Sequence, residues 1–120
     1  MRVKAGRLIP SEAELQRAVL ELAAFTGWTV AHFRTSRTSQ GRHLTAVAAD
    51  GAGFPALVLV RDRVLFRELK AENGRLSPRQ VMWAEALRRA GADWDVWRPS
   101  DWSRIEAELS ARVTIRGATP

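Results

Sequence analysis

The stretch that decides the fold is "GFPALVLVRDRVLFRELK", residues 53–70, in which two apolar runs flank a charged turn. Side chains of a β-strand alternate between the two faces of its sheet, so Glu68 and Lys70 share a face. A three-residue loop at 61–63 pairs valine with valine and valine with phenylalanine, and it places Ala56 opposite Glu68. Their Cβ atoms would then lie about 5 Å apart. The stretch therefore predicts a β-hairpin with charged groups at its open end.

An acidic residue at position 56 would repel Glu68 unless a cation lay between the two carboxylates. Mg²⁺ suits such hard oxygen ligands, because it holds few protein carboxylates, keeps several waters and bridges to phosphate. Lys70 would lie beside the ion, where it could orient or deprotonate the attacking water or neutralise phosphate charge. This is the pattern of a metal-assisted phosphodiester hydrolase, but the residue present is Ala56 and one ligand is missing.

The length of 120 residues predicts one domain, with a core over about 11–109 and tails at 1–10 and 111–120. The chain has no cysteine, which excludes disulfides and thiolate metal sites and fits a reducing cytoplasm. No apolar run approaches the length of a membrane span, and the first residues lack a signal-peptide core. We therefore expect a cytoplasmic protein that makes no use of a membrane.

The charge balance favours a polyanionic partner. The formal net charge is +6, from 19 basic and 13 acidic residues. A surface of this kind attracts polyanions such as nucleic acid. Arginine supplies most of the charge, because the only lysines are Lys4 and Lys70. Lys70 is therefore a candidate for a specific role, with chance as the alternative.

The first half of the chain predicts a helix and a strand before the hairpin. Ser11 and Glu14 form a capping box that begins a helix, and Gly27 ends it. Residues 28–33 then have the character of a strand, and the basic, polar segment 34–52 is a mobile loop or a ragged hairpin. Helical spacing directs five apolar side chains inward: Leu15, Ala18, Val19, Leu22 and Phe25.

The second half predicts two further helices around a short strand. Ser77 and Gln80 form another capping box, with proline at the first helical position. Residues 93–97 have the character of a strand, and Ser100 or Asp101 begins the last helix. The apolar faces of the two helices are predicted to be Val81, Ala84 and Leu87, and Trp102, Ile105 and Leu109. The order α-β-β-β-α-β-α predicts a mixed sheet with helices packed on it.

Four segments carry a resemblance to a known family: Gly-Phe-Pro at 53–55, Glu-Leu-Lys at 68–70, "GRLSPRQVMW" at 74–83 and "GADWDVWRPSDW" at 91–102. Together they closely resemble the VRR-NUC family, which belongs to the PD-(D/E)XK nucleases. The resemblance covers almost the whole chain, from Ser11 to about residue 109. It implies an α/β, restriction-endonuclease-like fold, with a mixed central sheet flanked by helices and an αβββαβ core.

The resemblance implies a metal-dependent, structure-specific DNA endonuclease of Holliday-junction-resolvase type, using Mg²⁺ or Mn²⁺. In the family motif the position of Ala56 holds an aspartate that is the central metal ligand. Glu68 and the backbone carbonyl of Leu69 would be further ligands, and Glu12 on the first helix would complete the site. Lys70 would be catalytic.

Structural interpretations compete with several of these roles. Glu68 could be a strand-end glutamate paired with Lys70 or Arg67. Gln80 matches a family position that faces the site, but its capping box is already a complete explanation. His32 matches a position where the family often has histidine, although a partly buried structural histidine is the interpretation we favour. The tryptophans are better explained as core or interface residues than as base-stacking ones: Trp83, Trp94, Trp97 and Trp102.

The expected partner is DNA, held through phosphate contacts of polar and basic side chains: Arg34, Ser36, Arg37, Arg42 and Arg75. A solvated basic loop is the alternative for most of them. A junction resolvase needs two active sites to cut two strands symmetrically, so the substrate class implies a C2 homodimer. The resemblance places such an enzyme in the cytoplasm of a bacterium or of a phage-infected host.

Ala56 is the one departure from the motif among the catalytic positions. An isolated change from aspartate to alanine is typical of a deliberate inactivating substitution, and we favour this interpretation because Glu68, Lys70 and Gln80 are all kept. A naturally degenerate nuclease is the alternative. The competing function classes are a non-catalytic module that binds branched DNA and a protein-interaction domain with a relict site.

Overall fold

The computed structural model describes residues 9–33 and 49–113, together with the backbone of 36–37 and 43–44. Within these ranges the helices are α1 (Glu12–Phe25), α2 (Pro78–Arg89) and α3 (Trp102–Ser110), the last preceded by a one-turn 3-10 helix (Pro99–Asp101). The strands are β1 (Thr29–His32), β2 (Ser36–Arg37), β3 (His43–Leu44), β4 (Leu57–Val60), β5 (Val64–Leu69) and β6 (Asp93–Trp97). None of these helices has the length and apolar character needed to cross a membrane.

The main sheet has four strands in the order β1-β4-β5-β6. β4 pairs antiparallel with both β1 and β5, whereas β5 and β6 run parallel, with α2 as the connection between them. β2 and β3 form a separate antiparallel pair, so the segment between β1 and β4 contains a short hairpin. The mixed α/β fold expected from the sequence is confirmed.

The register of the β4–β5 hairpin is the one that the sequence predicted. Val60 pairs with Val64 and Val58 with Phe66, across a loop of three residues at 61–63. The reason is the alternation of apolar side chains, since a slip of one residue would move every leucine of the hairpin to the wrong face.

Helices α1 and α3 cover one face of the sheet and enclose the main core. The fully or almost fully buried residues of this core come from both helices and from the strands: Leu15, Val19, Ala23, Trp28, Leu57, Leu59, Leu65, Leu69, Trp97, Ile105 and Leu109. Helix α2 packs against β6 and buries Ala84, and Trp94 on β6 is also buried.

Two residues predicted to face inward are exposed. Phe25 is 88% exposed, because it lies about 200° around the α1 axis from the buried Ala23. Val81 is 39% exposed. On α2 only Ala84 is buried, so the face that this helix turns to the sheet is too narrow to include Val81. Both cases arise from helices that contact the sheet through a narrower stripe than their apolar periodicity suggests.

The charged hairpin loop fastens the end of α3. Arg61 donates to the Leu109 carbonyl at 3.0 Å, and Arg63 donates to the Glu108 carbonyl at 2.6 Å. Both guanidinium groups also lie over the Trp28 ring, at 4.4 and 5.1 Å from its centroid. These two arginines satisfy carbonyls that a helix C-terminus leaves without partners, so they have a structural role.

Candidate functional site

The site is built around a buried carboxylate at the open end of the hairpin. Continued by one pair, the observed register places Ala56 opposite Glu68. The Ala56 N–H donates to Glu68 Oε1 at 3.1 Å, and Gln80 Nε2 donates to Glu68 Oε2 at 3.1 Å. Glu68 itself is only 6% exposed. The structure thus brings Ala56, Glu68 and Gln80 together.

Gln80 serves the helix cap and the carboxylate at the same time. Its Oε1 accepts from the Ser77 N–H at 2.8 Å, and the Ser77 hydroxyl accepts from the Gln80 N–H at 3.2 Å. The same side-chain amide then uses its nitrogen to reach Glu68. Since an amide carries both an acceptor and donors, the two interpretations of Gln80 do not exclude each other. The capping box fixes the orientation in which Gln80 meets Glu68.

Gly53 allows α2 to come close enough for this contact. Its φ is +86°, and a Cβ placed on it would lie 2.6 Å from the Arg79 backbone carbon and 2.7 Å from Arg79 Cβ. Only glycine tolerates both the left-handed conformation and this approach. Gly53 therefore allows the start of α2 to pack against the chain that leads into β4. This packing places Gln80 over Glu68.

The charges of Lys70 and Glu12 both act on the pKa of Glu68. Burial raises the pKa of the Glu68 carboxyl to about 7. The charge of Lys70 and the hydrogen bond from Ala56 act against this rise in pKa, and the charge of Glu12 adds to it. Glu12 lies in the first turn of α1 and is exposed.

The proline of the motif leaves the Leu69 carbonyl without a hydrogen bond from the residue opposite it. In an antiparallel pair of strands, hydrogen-bonded residue pairs alternate with pairs that are not hydrogen-bonded. The Arg61 N–H donates to the Arg63 carbonyl at 3.1 Å, which identifies Arg61 and Arg63 as a hydrogen-bonded pair. Counting along the hairpin puts Pro55 in such a position opposite Leu69. Proline has no N–H, so it cannot donate to the Leu69 carbonyl. The role of this oxygen as a metal ligand remains a prediction.

Arg98 holds the turn that follows Lys70. Its guanidinium donates to the carbonyl of Ala71 at 3.0 Å and to that of Gly74 at 2.6 Å. A Cβ at Gly74 would contact Lys70 Cδ at 3.5 Å, so the stem of Lys70 runs along this turn. On the strand side, the Lys70 N–H donates to the Trp97 carbonyl at 3.1 Å. Lys70 is therefore anchored on both sides.

As it stands, this set of residues does not fit a tightly held divalent ion. Both Glu68 oxygens already accept hydrogen bonds, and position 56 presents a methyl group where a second carboxylate would be needed. Over residues 9–33 and 49–113 no three histidine, aspartate or glutamate side chains converge in a way that could hold a metal. One buried carboxylate compensates poorly for the water that a small hard cation must give up.

The predicted DNA-binding residues fall into three groups. Arg34 and Arg42 lie outside the described residues, and Ser36 and Arg37 form β2, of which only the backbone is described. Arg75 is exposed in the turn before α2. The sequence analysis missed Arg79, whose position next to Gly53 appears only when α2 is packed on the sheet.

The buried state of Glu68 predicts how stability depends on pH. The folded state raises the pKa of this carboxyl from 4.5 to about 7, so it binds a proton that the unfolded chain releases. The contribution of this group to stability is therefore fully present below about pH 4.5 and is lost as the pH rises through about 7. The loss amounts to about 3 kcal/mol at most, for a shift of this size.

Glu68→Gln is expected to flatten the stability curve over this interval. Urea unfolding at about pH 5 and about pH 8 measures the free energy of unfolding of both proteins. Glu85→Gln, on the exposed side of α2, is the matched control and should keep the slope of the parent chain. An unchanged slope in Glu68→Gln would mean that Glu68 titrates in the folded chain as it does in the unfolded one.

Comparison with solved structures identifies a similar chain described as a VRR_NUC domain. It shares 24% sequence identity with this chain, with a TM-score of 0.54, and the match covers 78% of this chain and 91% of the other. At this level of identity the likeness concerns the fold, which is the one that the resemblance implied. Neither a protein-family model nor a curated protein matches the sequence.

Proposed function

We propose that this chain is a DNA-binding domain with the fold of a metal-dependent, structure-specific endonuclease of Holliday-junction-resolvase type, whose hydrolytic centre lacks the carboxylate at position 56. The intact centre would hold Mg²⁺ or Mn²⁺ through residue 56, Glu68 and the Leu69 carbonyl, with Glu12 nearby. The ion would supply Lewis-acid activation of a phosphodiester. In this chain Glu68, Lys70 and Gln80 remain, and Ala56 interrupts the set.

The observation that carries the proposal is the unpaired burial of Glu68. On the other face of the same strand, the buried Arg67 meets Asp93 at 3.0 Å and Glu108 at 2.9 Å. Within the described part of the chain, no lysine or arginine lies at ion-pair distance from Glu68. A buried carboxylate without a counter-charge is costly, and such groups cluster at functional sites.

Two exposed arginines without ion-pair partners among the described residues lie close to Gln80, and they support DNA as the partner. Arg61, Arg63 and Arg98 are held by backbone carbonyls. By contrast, Arg75 and Arg79 are exposed and form no ion pair with any residue that the structure describes. They flank the start of α2, next to the Gln80–Glu68 contact. The similar solved chain, described as a VRR_NUC domain, supports a nuclease-type domain at the same coarse level.

The second candidate is a naturally non-catalytic module that binds branched DNA with the same surface. The hydrogen bonds from Ala56 and Gln80 favour it, because they satisfy both oxygens of Glu68 without a metal. A deliberate substitution at position 56 and natural loss of the aspartate give the same chain. Only the nuclease candidate carries an argument for a homodimer, because symmetric cutting of two strands would require two active sites.

DNA binding by the chain is tested with a salt titration. Affinity for a four-way junction should fall steeply as salt rises. In a plot of the logarithm of the association constant against the logarithm of salt concentration, each phosphate contact adds about 0.9 to the steepness of the slope. Replacing Arg75 and Arg79 with serine should reduce the magnitude of this slope by about 2, because two contacts are lost. Fluorescence anisotropy of labelled junctions gives the affinities.

The matched control replaces Arg17 and Arg89 with serine. Both are exposed, one on α1 and one at the end of α2, and their loss changes the net charge by the same amount. This control should keep the slope of the parent chain. Equal slopes for the two double variants would mean that DNA contacts the protein away from the start of α2. The hydrolytic half of the proposal is tested by a cleavage panel on the Ala56→Asp variant.

A further inference from the structure

One row of side chains runs across the sheet at the site. The β1–β4 register pairs His32 with Leu57, so its continuation pairs Phe33 with Ala56, and the Phe33 N–H donates to the Ala56 carbonyl at 2.8 Å. Ala56 in turn lies opposite Glu68. Cross-strand neighbours point to the same face, so Phe33, Ala56 and Glu68 form one row. Strands lie about 4.8 Å apart, which puts Phe33 about 10 Å from Glu68.

Phe33 is a large apolar side chain that is 54% exposed at this position. Its ring meets Phe54 edge to face, with the centroids 5.4 Å apart. Phe54 makes the same kind of contact with Trp83 at 5.0 Å and with Phe66 at 6.2 Å. The indole N–H of Trp83 donates to the Asp50 carbonyl at 2.8 Å. The exposed ring is thus supported by a cluster that limits its movement.

The residue of α2 that lies next to this aromatic cluster is an arginine. Gly53 precedes Phe54, and the close approach at Gly53 brings the backbone and Cβ of Arg79 next to it. The cluster therefore combines an exposed aromatic ring with an arginine on the adjacent helix. Proteins that bind single-stranded nucleic acid pair these same two elements, because the ring stacks on a base while the cation contacts the backbone.

We propose that Phe33 is a stacking platform for an unpaired nucleobase of the DNA strand that passes over Glu68. The inference rests on the proposed function and adds its substrate class. Because about 10 Å is short against the reach of a DNA strand, the base belongs to a nucleotide at or near the phosphate that faces Glu68. In a continuous duplex both faces of each base are covered by neighbours. The platform therefore selects DNA that is unpaired next to the site, as at a branch or a flap.

The experiment uses the chain with Ala56 in place, which the proposed function expects to bind DNA without cutting it. Two labelled DNAs of equal length are compared at one salt concentration, a splayed arm and a continuous duplex. Phe33→Ala should weaken binding of the splayed arm by about 5- to 160-fold, the range expected for loss of one base–aromatic stack, and leave duplex binding unchanged. Phe33→Trp should retain the preference, and Phe33→Leu should lose it although it keeps an apolar side chain.

A fluorescent base supplies a direct readout of stacking. 2-Aminopurine at the branch point should be quenched when the parent chain or Phe33→Trp binds, and not when Phe33→Ala binds. Phe25→Ala removes a ring that is 88% exposed at the end of α1, and it should behave as the parent chain. Circular dichroism and thermal melts verify that each variant is folded.

Three results would overturn the inference. They are equal loss of splayed-arm and duplex binding in Phe33→Ala, no loss of either, and a change in sedimentation without a change in DNA preference, which would assign the ring to an interface between two copies. In each case steep salt dependence of the parent chain would leave the proposed function standing. Absence of any DNA binding by the parent chain would overturn both.

Discussion

The Ala56→Asp variant is expected to cut branched DNA in the presence of Mg²⁺ or Mn²⁺, at a rate at least about a thousand-fold above that of the parent chain. The expected size follows from the several kcal/mol that charge stabilisation by a metal ion contributes to a phosphoryl transition state. The new carboxylate would lie opposite Glu68, in the row where the register places residue 56. Lys70, Gln80 and the Leu69 carbonyl would supply the rest of the proposed centre.

The cleavage panel consists of four-way junctions, flaps, splayed arms and linear duplex. Ala56→Asn is the matched control, because it has the shape of aspartate without the charge, and it should remain close to the parent chain. Glu68→Gln in the Ala56→Asp background should abolish the gained activity. A folded, pure Ala56→Asp protein that cuts none of these DNAs with either metal would contradict the nuclease interpretation and leave the non-catalytic module as the better one.

The hairpin could be predicted from the sequence because its physics is local. Alternation of apolar residues over 53–70 admits one register with the leucines inside, and the observed pairing is that register. The two capping boxes, at Ser11 and at Ser77, were also predictable, since each needs only residues three positions apart. Local rules therefore established the elements that carry Glu68 and Gln80.

The parts that sequence reasoning missed depend on contacts between distant segments. Arg79 becomes a neighbour of the motif only through the approach of α2 to Gly53. The alignment of Phe33 with Glu68 requires the β1–β4 register, and residues 33–56 separate those strands in the chain. Arg98 reaches its carbonyls across 24 positions of sequence at Gly74. Spacing along the chain contains no signal for such pairs.

Metal binding is expected to show that positions 56 and 68 act as one unit. Without metal, the carboxylate introduced by Ala56→Asp would repel Glu68, so the melting temperature of this variant should be lower than that of Ala56→Asn and should rise when Mn²⁺ is added. The parent chain, which lacks the second carboxylate, should show little such rise. This measurement requires no DNA and no turnover, so it separates metal binding from catalysis.

Calorimetry with Mn²⁺ on the parent chain, Ala56→Asp, Glu68→Gln and the double variant completes a thermodynamic cycle. Ala56→Asp should bind Mn²⁺ about a hundred-fold or more tightly than the parent, because one unit charge at about 4 Å is worth about 4 kcal/mol near a protein surface. Glu68→Gln should have a small effect in the parent, where binding is already weak, and a large one beside the new aspartate. The coupling free energy should therefore lie within the range of about 0.5–3 kcal/mol found for residues in contact. Simple additivity would mean that the two side chains share no ion, and Glu68 would then be a buried acceptor for the Ala56 N–H and Gln80 and nothing more.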